Sequence, residues 1–119
     1  RDRSNNKDVI IRKPKDIKGA LLDDINTLTN TYKSLAIITK EDREAYDIYN
    51  LLKEDISISL LNEESKTFIK DLVVVPSYIA KGLEFDSVII VDSDKTFKKN
   101  KYLYYVACTR AREELIIYE

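Results

Sequence analysis

The chain has 119 residues, 44% hydrophobic and 34% charged, and its 20 basic and 21 acidic side chains leave a net charge of −1. That length supports one domain with a core of its own, and the even balance excludes both a dedicated cationic nucleic-acid coat and an acidic disordered tail. With no His and a single Cys, the chain cannot hold a Ser-His-Asp or Cys-His catalytic set, a zinc site of the usual kind or an internal disulfide.

Cys108 fits a reducing, cytoplasmic setting. No apolar run approaches the ~18–20 residues of a membrane span, and the N-terminal residues lack the apolar core of a signal peptide. The first residue is Arg and not Met. The chain is therefore expected to be one domain of a larger multidomain protein, and to fold by itself as a monomer.

Taken in order, Val9–Ile11, Leu35–Ile38, Leu72–Val75, Val88–Val91 and Leu115–Ile117 are short, continuous, β-branched runs. Such runs predict strands buried on both faces of a parallel sheet. Between the first two, Ile17, Leu21, Ile25 and Leu28 share one helical face, with Pro14 just ahead. Ala45, Ile48, Tyr49 and Leu52 make a second helical stripe. Thr39 with Asp42 resembles a capping box, and Glu41 suits the positive end of that helix. The stretch from Lys53 to Asp71 is less clear. Within it Ile56, Ile58 and Leu60 alternate with serines and predict a short strand near a sheet edge. A third helix is expected from about Lys101 to Arg112; being apolar nearly all round, it should be largely buried. Tyr102, Tyr104 and Tyr105 then read as core packing more readily than as a base-stacking row. The grammar is that of an α/β domain. Gly82 stands in a strand-end loop, the kind of place where ligands bind in open α/β sheets.

No G-x-x-x-x-G-K-[ST] phosphate loop is present, and two widely spaced glycines cannot make one. Val88-Ile89-Ile90-Val91-Asp92 has the outline of a metal-holding strand. No Glu follows it, however, and a buried strand ending in Asp accounts for it, so no metal ligand is assigned. From Lys95 to Arg112 six residues are basic and none acidic, which reads equally as solvated surface or as a binding face.

Two segments are more specific. They are Val73-Val74-Val75-Pro76-Ser77-Tyr78-Ile79-Ala80-Lys81-Gly82-Leu83-Glu84-Phe85-Asp86-Ser87-Val88-Ile89-Ile90 and Tyr102-Leu103-Tyr104-Tyr105-Val106-Ala107-Cys108-Thr109-Arg110-Ala111-Arg112-Glu113-Glu114-Leu115. Both resemble motifs V and VI of the UvrD/Rep-type superfamily 1 helicases, in the same order. The resemblance implies a RecA-like, P-loop NTPase-like α/β domain, its mostly parallel sheet flanked by helices, lacking its own P-loop. It would be the second motor domain, with the phosphate loop and magnesium-binding acids on an N-terminal RecA-like domain of the same protein. ATP and Mg2+ would be held mainly by that other domain, with cleft closure driving steps along single-stranded DNA.

By the same resemblance Arg110 is the catalytic arginine finger, and Gly82, Glu84 and Arg110 bind nucleotide. Ser77, Tyr78 and Lys81 would contact nucleic acid. Where many relatives have Thr-x-His, this chain has Pro76-Ser77-Tyr78; Ser can bond a phosphate and Tyr can stack on a base, or Tyr78 can be a core aromatic. For Arg110 the alternative is a helix-terminal Arg satisfying the last carbonyls, a role that suits Arg112 better. The compact layout and the V-P-S-Y-x-A-K-G-L-E-F-D wording are most similar to the HelD-type members that associate with RNA polymerase. The competing function is a non-hydrolysing helicase-like module that docks on RNA polymerase or nucleic acid. An unrelated α/β ligand-binding domain would place Arg110 and Glu84 at opposite ends of the sheet.

Overall fold

The computed structural model describes residues 7–64 and 71–119; residues 65–70, within the stretch whose sequence is least clear, lie outside them. The strands are β1 (Asp8–Arg12), β2 (Leu35–Thr39), β3 (Ser59–Leu60), β4 (Leu72–Pro76), β5 (Phe85–Val91) and β6 (Ala111–Tyr118). The helices are α1 (Ile17–Thr31), α2 (Asp42–Leu52), α3 (Ser77–Ala80), α4 (Thr96–Lys99) and α5 (Lys101–Cys108). All strand pairs are parallel, in the order β1-β6-β5-β2-β4-β3.

Alternation along the buried strands builds two cores. Ala36, Ile38, Val73, Val75, Val88, Ile90, Leu115 and Ile117 face Ile79, Phe97 and Ala107 of α3–α5. Leu35, Ile37, Val74, Ile89 and Ile116 face Leu21, Ile25 and Leu28 of α1 and Ala45, Ile48 and Leu52 of α2. Each fully buried branched side chain stabilises by roughly 1.5–3 kcal/mol, which is why the helices settle on both faces. The two predicted helical stripes face the second core: six of their eight residues are buried, and Ile17 and Tyr49 are partly buried. The predicted edge strand is β3; its register places Ser59 and Leu60 beside Val73 and Val74.

Three local expectations are corrected. The first strand is not buried on both faces: β1 pairs only with β6, and Val9 and Ile11 are 54% and 57% exposed. Thr39 does not cap α2. It is held in the β2–β4 ladder opposite Pro76 and its hydroxyl donates to the Glu41 carbonyl at 3.0 Å. The helix therefore starts later, with Glu41 as N-cap and its N–H donating to the Glu44 carboxylate at 3.2 Å. The third helix stops at Cys108, and only Ala107 of its residues is buried. Ala111 and Arg112 belong to β6, because the Arg110 carbonyl accepts from Phe85 N–H at 2.9 Å and so starts the β5–β6 pairing.

Candidate functional site

Parallel strands begin at one end of the sheet, so the loops leading into neighbours β5 and β6 lie side by side. Those loops are residues 81–84 and Thr109–Arg110. Gly82, Glu84 and Arg110 thus lie at the same, amino-terminal end of the sheet. The Gly82 loop is at the opposite end from the carboxyl-terminal crevice that open α/β sheets ordinarily use for ligands.

Arg110 is half-buried and anchored by its own domain. Its Nε donates to the Val106 carbonyl at 3.0 Å, one Nη to the Leu83 carbonyl at 3.1 Å and the other to Thr109 Oγ at 3.2 Å. The helix-terminal role assigned by sequence to Arg112 therefore falls to Arg110. These bonds take three of the five guanidinium N–H groups, and they fix the planar head against the residue 81–84 loop. A second cation arrives from a direction the sequence did not signal. Lys7, just before β1, donates through Nζ to the carbonyls of Cys108 at 2.7 Å and Ala111 at 3.2 Å. Both cations thus gather at the negative end of the α5 dipole. Burial lowers the Lys7 pKa, with the Arg110 charge acting in the same direction and Cys108 opposing. Burial raises that of the Cys108 thiol.

Gly82 has φ +89°, in the left-handed region, with open space where a Cβ would stand. Backbone conformation, not crowding, therefore calls for glycine. Glu84 is exposed, 3.6 Å from Arg112 Nη1. Arg112 also reaches Asp86 through Nη2 at 2.9 Å, so it straps the segment before β5 to the start of β6. Asp86 accepts a further bond from Lys33 N–H at 3.2 Å. The Arg112 hydrogen bond, joined by the backbone bonds from Lys33 and Ser34, holds the Asp86 carboxyl below its ordinary value, against a smaller burial effect. Asp86 lay in plain view in the L-E-F-D wording; its tie to Arg112 did not, because it depends on strand register.

The other predicted residues begin at the far end of β4. Ser77 is 2% exposed and its Oγ donates to the Lys40 carbonyl at 2.8 Å; it ties two loops together and does not face solvent. Tyr78 is on the surface, 47% exposed, and its hydroxyl donates to Asp42 at 3.0 Å. That bond raises the phenol's pKa. Its surroundings are acidic: a groove of about 340 Å³ shared with Asp42, Tyr46, Glu63 and Glu64. Lys81 leads away from this groove, its Nζ 5.6 Å from the centroid of the Tyr102 ring. Asp92 has a structural task, its carboxylate accepting from Phe97 N–H at 2.9 Å and Lys98 N–H at 3.0 Å.

The amino-terminal end of the sheet thus gathers a fixed guanidinium, a second cation and a glycine turn. Among the described residues no group of acidic or cysteine side chains could hold a metal ion. A six-stranded parallel sheet flanked by helices is the architecture of RecA-like helicase C-terminal domains. The chain belongs to the UvrD-like helicase C-terminal domain family, which matches residues 2–119. It is similar to the C-terminal domain of a possible DNA helicase from Lactobacillus plantarum WCFS1. The identity is 27% and the TM-score 0.76, covering 94% of this chain and 72% of that one. The fold is also that of the E. coli DEAD-box protein SrmB, solved bound to the regulator of ribonuclease activity A. Here the identity is 12% and the TM-score 0.60, covering 94% of this chain and 75% of that one. No curated protein matches the chain. No helix among the described residues is long and apolar enough to cross a membrane.

Proposed function

We propose that this domain is the second RecA-like motor domain of an ATP-dependent superfamily 1 DNA helicase or translocase. In this reading Arg110 completes an ATP site shared with an N-terminal RecA-like domain of the same protein. The observation that carries the reading is the meeting of Arg110 with the Gly82–Glu84 loop at one sheet end, joined by the bond from Arg110 to the Leu83 carbonyl. A guanidinium held in advance can offset charge building on a transferred phosphoryl group without reorganising, which is worth ~10³–10⁵ in rate where such fingers operate. Gly82 and Glu84 would border the nucleotide. ATP brings the phosphoryl group and Mg2+ its counter-charge, both held mainly by the other domain. Lys81 would contribute a cation to single-stranded DNA binding, with Ser77 supporting the turn before it. The HelD-type wording adds RNA polymerase as a partner and a cytoplasmic setting, and rests on sequence alone.

The test is DNA-stimulated ATP hydrolysis by the full-length protein. Arg110→Ala is expected to lower kcat by ~10³-fold or more while nucleotide affinity changes far less. Near-native turnover in that variant would remove the finger from Arg110. Absence of hydrolysis in the native protein would favour the non-hydrolysing docking module.

A further inference from the structure

Tyrosines expected in the core stand outside it. Tyr104 does pack, edge-on to Phe97 with ring centroids 5.5 Å apart, but Tyr102 and Tyr105 are 62% and 68% exposed. These two are three residues apart on α5 and so share one face. Burying neither ring leaves a large aromatic area in water, unusual beside a core that takes in other rings of the chain, such as Phe85, Phe97 and Tyr118. Basic side chains flank them. Lys81 stands over the Tyr102 ring at 5.6 Å, Lys101 opens the same helix, and from Lys95 to Arg112 no residue is acidic.

We infer that the exposed face of α5 is a contact surface for single-stranded DNA, with Tyr102 and Tyr105 stacking on bases and Lys81 and Lys101 meeting phosphates. The inference rests on the motor-domain reading and supplies its nucleic-acid contact with a location. Two observations carry it independently. The α5 face combines rings with cations, the pairing that single strands need: every base has a π-face and every linkage a negative charge. Around Tyr78, in contrast, phosphates would meet Asp42, Glu63 and Glu64, and Ser77 is turned inward. Lys81 joins the two regions, since α3 packs against α5. A strand leaving the segment after β4 would pass from Lys81 onto Tyr102.

Fluorescence anisotropy with a labelled oligothymidylate of about 15 nucleotides tests this, beside an abasic oligomer of equal length that keeps the phosphates and lacks the bases. The native chain should bind the thymidylate more tightly than the abasic strand. Tyr102→Ala and Tyr105→Ala should each weaken thymidylate binding by roughly 5- to 100-fold, and the double variant should bind both oligomers alike. The Tyr102→Phe, Tyr105→Phe pair should retain binding, because the rings and not the hydroxyls act. Lys81→Ala should weaken both oligomers and flatten the dependence of log affinity on log salt. Circular dichroism melting establishes that the variants are folded; these side chains lie outside the core. Equal thymidylate affinity in the folded double-alanine variant would overturn the surface and leave the motor-domain reading standing. No measurable binding by the native chain would overturn the surface outright. Hydrolysis lost on Arg110→Ala in the full-length protein would still uphold the motor.

Discussion

Arg110 and Arg112 are two positions apart, yet the structure gives them different work. Arg110 Nε and Nη bond two carbonyls at once, which a lysine ammonium on a flexible stem cannot reproduce. Arg110→Lys in the full-length protein should therefore recover little of the turnover that Arg110→Ala loses. Steady-state kinetics on both variants checks it. Arg112 makes ion pairs at the surface, with side chains 50% exposed for Arg112, 59% for Glu84 and 24% for Asp86. Pairs so wet contribute at most about 1 kcal/mol, so Arg112→Ala should melt only slightly lower and retain far more activity than Arg110→Ala. Asp86 gives a pH test. Its folded pKa lies below the ordinary 3.8, so its contribution to stability is complete above that value. It is lost as the pH falls through the lowered one. Acid titration of the melting temperature should therefore show a shallower decline below pH ~4 in Asp86→Asn than in the native chain.

Among the elements, the residue 81–84 turn and α5 decide the site. Gly82 at φ +89° meets no neighbour, so Gly82→Ala adds backbone strain alone, about 1–2 kcal/mol. Gly82→Asn should lose less, since Asn tolerates the left-handed region. Thermal melting of the two variants should rank native, Asn, Ala; an Ala variant as stable as native would mean that the turn is not held in that conformation. The helical pattern of α5 was legible from Lys101 onward, but its end was not. Periodicity continues through Ala111, while the chain leaves the helix because the Arg110 carbonyl and Ala111 find partners on β5. An apolar composition likewise says nothing of which faces a neighbour will cover, so Tyr102 and Tyr105 stand in solvent where composition points to the core. The same reason applies to β1: Val9 and Ile11 match Leu115 and Ile117 in chemistry and register but stand at the sheet edge.

For the whole molecule, the two-core sheet holds one half of a proposed nucleotide site. The chain by itself is expected to show no ATP hydrolysis above background, since Gly19 and Gly82 are its only glycines and no phosphate loop can form. Turnover by the purified domain that disappears on Arg110→Ala would overturn the two-domain reading.

The sequence by itself determined the α/β class, the order of the strands along the chain and the two amphipathic helices, and it singled out Gly82, Glu84 and Arg110 for the proposed site; the short helices α3 and α4 it did not show. These depend on local periodicity and on motif wording, both carried by neighbours along the chain. Only the tertiary structure decided that Arg110 is anchored on the Leu83 carbonyl, that Lys7 bonds the carbonyls of Cys108 and Ala111 on either side of it, and that Ser77 is buried while two tyrosines are not. Those facts depend on which strand lies beside which, and in a parallel sheet with order β1-β6-β5-β2-β4-β3 the partners are distant in sequence. Lys7 and Cys108 are 101 positions apart and within 2.7 Å.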